Sequence, residues 1–278
     1  MNGKDFWIND AWDKEKGRSI SIKIKSSLES CRSEFQQIDV YESECFGRLL
    51  ALDNIIMLTE ADEFAYHEMI SHVALNVHPD PRRVLIIGGG DGGTAREVLK
   101  HDVEEVHLCE IDREVIRVSI KYFPTISTCF DDQRMKVVTD DGAEYIKGYK
   151  DFFDLVIVDS SDPIGPARVL FAEEFYNNIH DSLTEDGIAV TQSESMFYDK
   201  GLIKDLFVFN KRIFPIVRYF YTLVPTYPSG TIGFSFCSKK YDPVKDMHKK
   251  IIPDLRYYNY DIHKAAFMLP NFINQIVG

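Results

Sequence analysis

Between residues 84 and 191, short apolar segments alternate with segments of helical pattern, and this alternation constrains the fold more than any other feature. Strands that are apolar along their whole length are typical of a parallel sheet, because helices cover both of its faces. We therefore predict an α/β fold, with a parallel sheet and helices on both faces. The predicted strands are 84–87, 106–109, 137–138, 155–158 and 188–191, and the predicted helices are 94–100, 113–122, 143–149 and 173–182.

The first sixty residues have a different pattern. Polar and apolar residues alternate strictly at 19–25, which indicates a strand with one buried face. Further short strands are predicted at 37–43, 48–52 and 55–58, with turn-forming residues between them. Residues 1–60 are therefore predicted to form a small antiparallel β-domain.

The rest of the chain, residues 61–278, is predicted to be one catalytic domain that begins with a helix after Asp62 and ends in a helical tail. Beyond the alternating region, the predicted elements are a long helix at 200–214, an antiparallel pair at 217–223 and 231–238 that closes the sheet, and a helical tail at 257–277.

Charge and composition narrow the class of protein. The chain carries 44 Asp and Glu against 32 Lys and Arg, a formal net charge of −12, which disfavours nucleic acid and favours cationic ligands. We find no apolar run long enough to span a membrane and no signal-peptide core. The 5 cysteines are scattered, so we expect a reduced cytoplasmic protein without disulfides or structural zinc.

A glycine-rich loop, GGGDGG at 88–93, follows the first strand of the alternating region and opens a helix. Glycine lets a backbone turn tightly and approach a ligand closely, and Glu110 ends the next strand, where an acid can bind ribose hydroxyls. Together they predict a ligand that contains a nucleoside. Asp91 lies inside the loop, where a carboxylate would repel a diphosphate and attract a sulfonium or an ammonium. The loop therefore favours an S-adenosyl compound over a dinucleotide.

Two further strand ends carry acids. Asp141 and Gly142 follow the third strand and are predicted to contact adenine, although Asp141 is also suited to cap the next helix. The fourth strand ends in VIVDSSDPIGP, in which Asp159 and Asp162 flank two serines. Ligands of parallel sheets bind beyond the carboxyl ends of the strands, so we expect this pair to grip a cation or to do acid/base chemistry rather than only shape a turn.

Aromatic groups come from two other segments. Tyr66 and His67 lie on the first helix of the second domain, where a buried tyrosine is usually a core residue and a lone histidine is usually structural. The segment PTYPSG at 225–230 holds Tyr227 between two prolines, which either present it to a pocket or simply form a hairpin turn.

Taken in order, the motifs GGGDGG, Glu110-Ile111-Asp112, Asp141-Gly142, VIVDSSDPIGP and PTYPSG resemble those of the polyamine aminopropyltransferase family, most closely its spermidine synthases. The resemblance implies a methyltransferase-like Rossmann sheet after the small β-domain. It also implies a transferase that moves the aminopropyl group of decarboxylated S-adenosylmethionine to putrescine, giving spermidine and methylthioadenosine. No metal and no bound cofactor are implied, and a homodimer or a homotetramer is expected.

The resemblance also implies a role for each candidate residue. The nucleoside pocket falls on Gln36, Glu110, Asp141 and Gly142, the aminopropyl anchor on Asp91, the base on Asp159, and the diamine pocket on Tyr66, Asp162, Gln192 and Tyr227. His67 is expected to contact the donor or the pocket, and Trp7 and Trp12 lie where relatives line the diamine site.

Several alternatives stay open on the sequence alone. The acceptor is putrescine or another amine, namely cadaverine, agmatine or spermidine. A methyltransferase that uses S-adenosylmethionine shares the sheet and the nucleoside site, but Asp91 and the paired carboxylates argue against it. A protein that binds polyamines without turnover is the non-enzymatic alternative. The segment 160–170 is expected to act as a lid, because its prolines and glycine lie beside the site.

Overall fold

The computed structural model describes residues 6–12, 14–163, 165–248 and 252–278. Its first part is an antiparallel sheet of five strands that pair in chain order. The strands are β1 (Phe6–Asn9), β2 (Ser21–Arg32), β3 (Gln37–Ser43), β4 (Arg48–Leu52) and β5 (Ile55–Thr59).

The second sheet has seven strands in the order β11-β12-β10-β9-β6-β7-β8. Five of them are parallel and two pair antiparallel at one edge. The strands are β6 (Arg83–Gly88), β7 (Glu105–Cys109), β8 (Met135–Val138), β9 (Phe153–Asp159), β10 (Leu183–Gln192), β11 (Ile216–Leu223) and β12 (Thr231–Ser238).

Helices cover both faces of this sheet, which confirms the predicted fold class. They are α1 (Glu63–Leu75), α2 (Gly93–Val98), α3 (Arg113–Tyr122), α4 (Gly142–Tyr145), α5 (Glu173–Ser182), α6 (Lys200–Ile213), α7 (Tyr260–Ala266) and α8 (Asn271–Val277). Among the described residues, no helix combines the length and the apolar character needed to cross a membrane.

Alternate residues of each central strand belong to different cores. Val84 and Ile86 of β6 face the core that α1 and α2 cover, whereas Leu85 and Ile87 face the core that α5 and α6 cover. Side chains of successive strand residues point to opposite faces, so a strand buried on both sides must be apolar at every position. This is why the central strands were predictable from their runs of consecutive apolar residues.

A third core joins the two sheets. Ile38 and Val40 of β3 and Leu50 of β4 pack with Val115 and Val118 of α3. Burial of this apolar surface holds the antiparallel sheet over the carboxyl ends of the parallel strands. The space left between them is the cavity described below.

The structure departs from the predicted elements in several places. β1 was not predicted, and β2 extends from Ser21 to Arg32 although alternation ends at Lys25. The helix predicted at 143–149 is one α-helical turn followed by a 3₁₀ turn at Ile146–Gly148. The predicted helical tail is broken into α7 and α8 by Pro270, which cannot continue the first helix.

Candidate active site

All eleven predicted site residues line one cavity of about 300 Å³ at the carboxyl edge of the parallel sheet. The antiparallel sheet forms its other wall through residues such as Leu50, Met57 and Leu58. Trp12 also lines the cavity, whereas Trp7 is half exposed on β1 and does not. The predicted site residues in the cavity are Gln36, Tyr66, His67, Asp91, Glu110, Asp141, Gly142, Asp159, Asp162, Gln192 and Tyr227.

The glycine loop that follows β6 is hydrogen-bonded to Asp159 at the end of β9, because β6 and β9 are neighbouring strands. The amide of Gly89 donates to the carbonyl oxygen of Asp159 at 2.9 Å. Gly88 has a φ of +81°, and a Cβ built there would lie 2.2 Å from that carbonyl oxygen. Only glycine fits such a position. The close contact between the two loops makes them one continuous wall of the cavity.

One end of the cavity offers acceptors for a nucleoside. Glu110 is buried, and its two oxygens accept from the amides of Gly90 at 3.2 Å and Asp112 at 2.9 Å. Burial raises the pKa of Glu110 to about 7. Gln36 reaches the same end from the antiparallel sheet, where its amide donates to Asp112 at 3.0 Å.

Asp141 caps a helix, which is one of its two expected roles, and it also lies in the cavity. Its carboxylate accepts from the amide of Ala143 at 2.8 Å and therefore caps α4. It also lines the cavity beside Gly142. A cap leaves one carboxylate oxygen available, so the two duties are compatible.

Asp159 lies at the centre of the cavity with both oxygens held. Tyr66 donates its hydroxyl to Oδ1 at 2.8 Å, and Thr94 donates its hydroxyl to Oδ2 at 2.6 Å. Burial and the charge of Asp91 raise the pKa of Asp159, while the two hydroxyls act in the opposite direction. Thr94 was not predicted, because a threonine in a helix gives no signal of what it faces.

His67 lies between two carboxylates. Its Nδ1 is 2.6 Å from Oε2 of Glu63, and its Nε2 is 3.3 Å from Oδ1 of Asp91. A neutral imidazole donates from one nitrogen only, so donating to both carboxylates requires the imidazolium. Burial alone would lower the pKa of His67, but Asp91 and Glu63 raise it well above its ordinary value. Arg96 donates hydrogen bonds to both carboxylate oxygens of Glu63, at 3.2 and 2.9 Å.

One group within the described part of the chain has the spacing of a metal site. Ligand atoms of His67, Asp91 and Asp159 lie within 4.8 Å of one another. A histidine must present a deprotonated nitrogen to a metal, and both nitrogens of His67 are directed at carboxylates. The group therefore fits an organic cation beside Asp91 better than a metal ion.

The other end of the cavity holds a pair of acids, of which the sequence predicted only one. Both residues line the cavity, where Glu194 is buried and Asp162 is half-buried, and their carboxyl groups are close enough to interact. Burial raises the pKa of Asp162 to about 7 and raises that of Glu194 well above its usual range. Two neighbouring carboxylates disfavour each other's charge, so this pair binds a proton more readily than an isolated acid does.

Gln192 connects this acid pair to β10. Its Nε2 donates to Glu194 at 3.0 Å, while its Oε1 is buried without a partner among the described residues. Glu194 has a φ of +62°, which is uncommon for a residue with a side chain. Its place three residues after the end of the predicted strand 188–191 was the signal that could have revealed it.

Tyr227 lines the cavity, where burial raises its pKa and Asp162 lies close enough for its carboxylate to raise that pKa further. Its hydroxyl donates to the carbonyl oxygen of Met57 at 2.8 Å, and its ring lies 6.2 Å from that of Tyr66. The segment that carries it is thus fastened to the antiparallel sheet.

Comparison with known proteins agrees with this geometry. The family model described as "Spermine/spermidine synthase domain" matches residues 63–251, and "Spermidine synthase tetramerisation domain" matches residues 6–60. A polyamine aminopropyltransferase of Leptospira biflexa is 48% identical over 271 residues, which are 96% of each chain. The spermidine synthase of Schizosaccharomyces pombe is 45% identical over 286 residues, covering 99% of this chain and 94% of that protein.

Solved structures give the same result. A spermidine synthase in complex with the transition-state analogue AdoDATO superposes with a TM-score of 0.95 at 42% identity, covering 100% of this chain and 97% of the other. The identity is high enough, and the coverage complete enough, for the likeness to extend beyond the fold. The chain therefore belongs to the spermine/spermidine synthase family of aminopropyltransferases.

Proposed function

We propose that the chain transfers the aminopropyl group of decarboxylated S-adenosylmethionine to putrescine, giving spermidine and methylthioadenosine. The observation that carries the proposal is the order of polar groups along one cavity. Glu110 marks the nucleoside end, Asp91 and Asp159 lie in the middle, and Asp162 and Glu194 lie at the far end. A sulfonium donor and a diamine fit this order when the transferred carbon lies near Asp159.

Asp91 supports the choice of the decarboxylated donor. Its Oδ1 accepts from the amide of Gly93 at 2.6 Å and faces His67, so the carboxylate is fixed in place. The donor's free amine would be attracted there. Intact S-adenosylmethionine would bring a carboxylate instead, and two like charges ~4 Å apart repel by about 4 kcal/mol at an effective dielectric of ~20.

Asp159 is the proposed base. An alkyl ammonium has a pKa of about 10.4, so the acceptor must lose a proton before it can attack. The acceptor nitrogen then forms a bond to the propyl carbon, the carbon–sulfur bond breaks, and sulfur leaves as a neutral thioether. Asp159 takes the proton from nitrogen while Tyr66 and Thr94 hold the carboxylate in position.

The distal amine of the acceptor is proposed to meet Asp162, Glu194 and the unpartnered Oε1 of Gln192. Together these groups offer several acceptors to one ammonium, and a monoamine would leave them unmatched. This favours a diamine. The printed names of the relatives, which include spermidine synthase, favour putrescine among the diamines.

The test is a reaction of the purified protein with each donor and a panel of amines, read by mass spectrometry. We expect methylthioadenosine and spermidine from the decarboxylated donor and putrescine, with less product from cadaverine, agmatine or spermidine. The Asp159→Asn variant should lose turnover while binding methylthioadenosine as the parent does. S-adenosylhomocysteine from intact donor would instead identify a methyltransferase, and diamine binding without product would identify a binding protein.

We further propose that the chain works as a homodimer or homotetramer in the cytoplasm. The match of residues 6–60 to a domain described as a tetramerisation domain supports the oligomer. A division of the chain at residues 60 and 61, between β5 and α1, agrees with that match. Light scattering at several concentrations is the measurement, and a mass equal to one chain would contradict the oligomer.

The lid formed by 160–170 also remains a proposal. Residue 164 lies outside the described residues, and Gly165–Phe171 forms a 3₁₀ helix beside the cavity. Limited proteolysis with and without methylthioadenosine tests closure, and equal cleavage in both would count against it.

A further inference from the structure

Asp62 occupies the residue before α1, the position from which an aspartate usually caps a helix. Its side chain makes no hydrogen bond to the first turn of α1. By contrast, Asp112 and Asp141 occupy the same position before α3 and α4, and both cap their helices. The carboxylate of Asp62 therefore has another use.

Both oxygens of Asp62 are bound to threonines. Oδ1 accepts from the hydroxyl of Thr59, at the end of β5, at 2.6 Å. Oδ2 accepts from the amide of Thr226 at 3.0 Å and from its hydroxyl at 2.7 Å. All three residues are buried, and Thr226 lies 164 positions further along the chain than Asp62.

Thr226 precedes Tyr227 in the segment that lines the acceptor end of the cavity. The remaining backbone contacts of that segment are internal, from Tyr227 to Val224 at 3.0 Å and from Gly230 to Tyr227 at 2.8 Å. Its attachments to the antiparallel sheet and the start of α1 are therefore the Asp62–Thr226 pair and the Tyr227–Met57 hydrogen bond. The first of these fixes the backbone and the second fixes the ring.

We propose that Asp62 is a positioning residue for acceptor binding: it forgoes capping α1 in order to hold Thr226, so that Tyr227 stays near the acid pair Asp162 and Glu194. The inference rests on the proposed function for its choice of acceptor. The buried amide and hydroxyl of Thr226 have no other acceptor in the described parts of the chain, so losing the carboxylate leaves both unsatisfied and loosens the segment at Thr226. The segment would then be held through Tyr227 and through Ser229, which accepts from the hydroxyl of Ser195 at 2.7 Å.

The two sides of the carboxylate provide a matched pair of variants. Thr226→Val removes the hydroxyl bond to Oδ2, and Thr59→Val removes the hydroxyl bond to Oδ1 with the same change of side chain. Thr59 does not line the cavity. We expect Thr226→Val to raise the KM for putrescine about tenfold, as the loss of a buried charged hydrogen bond allows. Thr59→Val should leave that KM within twofold, and neither should change the KM for the donor.

Asp62→Ala should raise the putrescine KM at least as much as Thr226→Val, and the double variant should be no worse than Asp62→Ala alone. Asp62→Asn keeps one acceptor oxygen and should restore most of the loss. If Asp62→Ala does not fold, the two valine variants still decide. Equal effects of the two valine variants, or a parallel rise in donor KM, would overturn the proposal.

Amide hydrogen exchange of the segment 224–230 is read without any turnover. Exchange at Thr226 should be slow in the parent and in Thr59→Val, and fast in Asp62→Ala. If the parent turns over no diamine, the proposed function fails while this exchange result still stands. Unchanged exchange in Asp62→Ala would overturn the positioning role whatever the substrate.

Discussion

At the scale of single residues, the charge of His67 depends on the side chains that surround it. His67 is an imidazolium because Glu63 and Asp91 face its two nitrogens, and Glu63 is held by Arg96. Of these partners, the sequence places only Glu63 near His67, because the two are one helical turn apart. The sequence therefore predicted the position of His67 in the cavity but not its protonation state.

Replacing Glu63 should return His67 toward an ordinary histidine. The raised pKa means that the parent ring keeps its proton to a higher pH than an ordinary histidine does. In Glu63→Gln the shortest hydrogen bond to the ring loses its charged partner, so we expect the ring to titrate at a lower pH than in the parent, measured by the NMR shift of its Cε1 proton. Glu97→Gln is the control, because Glu97 also binds Arg96 but contacts His72 rather than His67. Identical titration of His67 in the parent and in Glu63→Gln would contradict this assignment.

Thr94 should set the acid limb of the pH–rate profile. Its hydroxyl lowers the pKa of Asp159, which burial raises. Thr94→Val removes that bond, so Asp159 becomes harder to ionise and the rate should fall at a higher pH than in the parent. Thr94→Ser keeps a hydroxyl and should keep the parent profile. The measurement is kcat against pH, and a limb that moves to lower pH in Thr94→Val would exclude Asp159 as the base.

At the scale of elements, the sequence predicted the seven strands of the second sheet, because the central residues of buried strands such as β6 and β9 form continuous apolar runs. It missed β1, whose four residues carry too little pattern, and the second half of β2, whose side chains face solvent on much of their length. Glu194 was also missed, because the sequence does not show that it lies close to Asp162, which is distant in the chain.

The start of α2 offers a test of how tightly the elements fit. A Cβ on Gly93 would lie 2.3 Å from the ring of His67, which is held from both sides and cannot yield. We expect Gly93→Ala to destabilise the fold by about 1–3 kcal/mol in urea unfolding, as overpacking does. Gly148→Ala is the control, because nothing lies within 4 Å of a Cβ there. Equal stability of the two variants would show that α2 adjusts freely.

At the scale of the whole molecule, the two sheets are held together by an apolar core with charged groups at its rim. Glu29 of β2 accepts from Lys121 at 2.7 Å, from Arg117 at 2.9 Å and from the hydroxyl of Tyr122 at 2.7 Å, all on α3. The sequence indicated two structural parts but could not indicate this contact, because the partners are about ninety residues apart.

The ionic hydrogen bonds of Glu29 should make the stability of the protein sensitive to acid. Hydrogen bonds from Lys121, Tyr122 and Arg117 lower the pKa of Glu29 to about 2. A carboxylate with a depressed pKa contributes stability that is present above its unfolded pKa of about 4.3 and is lost as the pH falls through the folded value. We expect the free energy of unfolding to decline across that window, and to decline less in Glu29→Gln. Glu34→Gln, at an exposed turn, should keep the parent slope; an unchanged slope in Glu29→Gln would remove Glu29 from this role.

The strand order has one more consequence. β9 lies between β10, which leads to Glu194, and β6, β7 and β8, which lead to the proposed nucleoside end. Donor and acceptor would therefore occupy opposite sides of Asp159 at the same time, and the nitrogen would approach the carbon from the side away from sulfur. A chirally deuterated donor should give a product inverted at that carbon, and double-reciprocal rate plots should intersect rather than run parallel. The order of the seven strands would thus determine the stereochemical outcome at one methylene carbon.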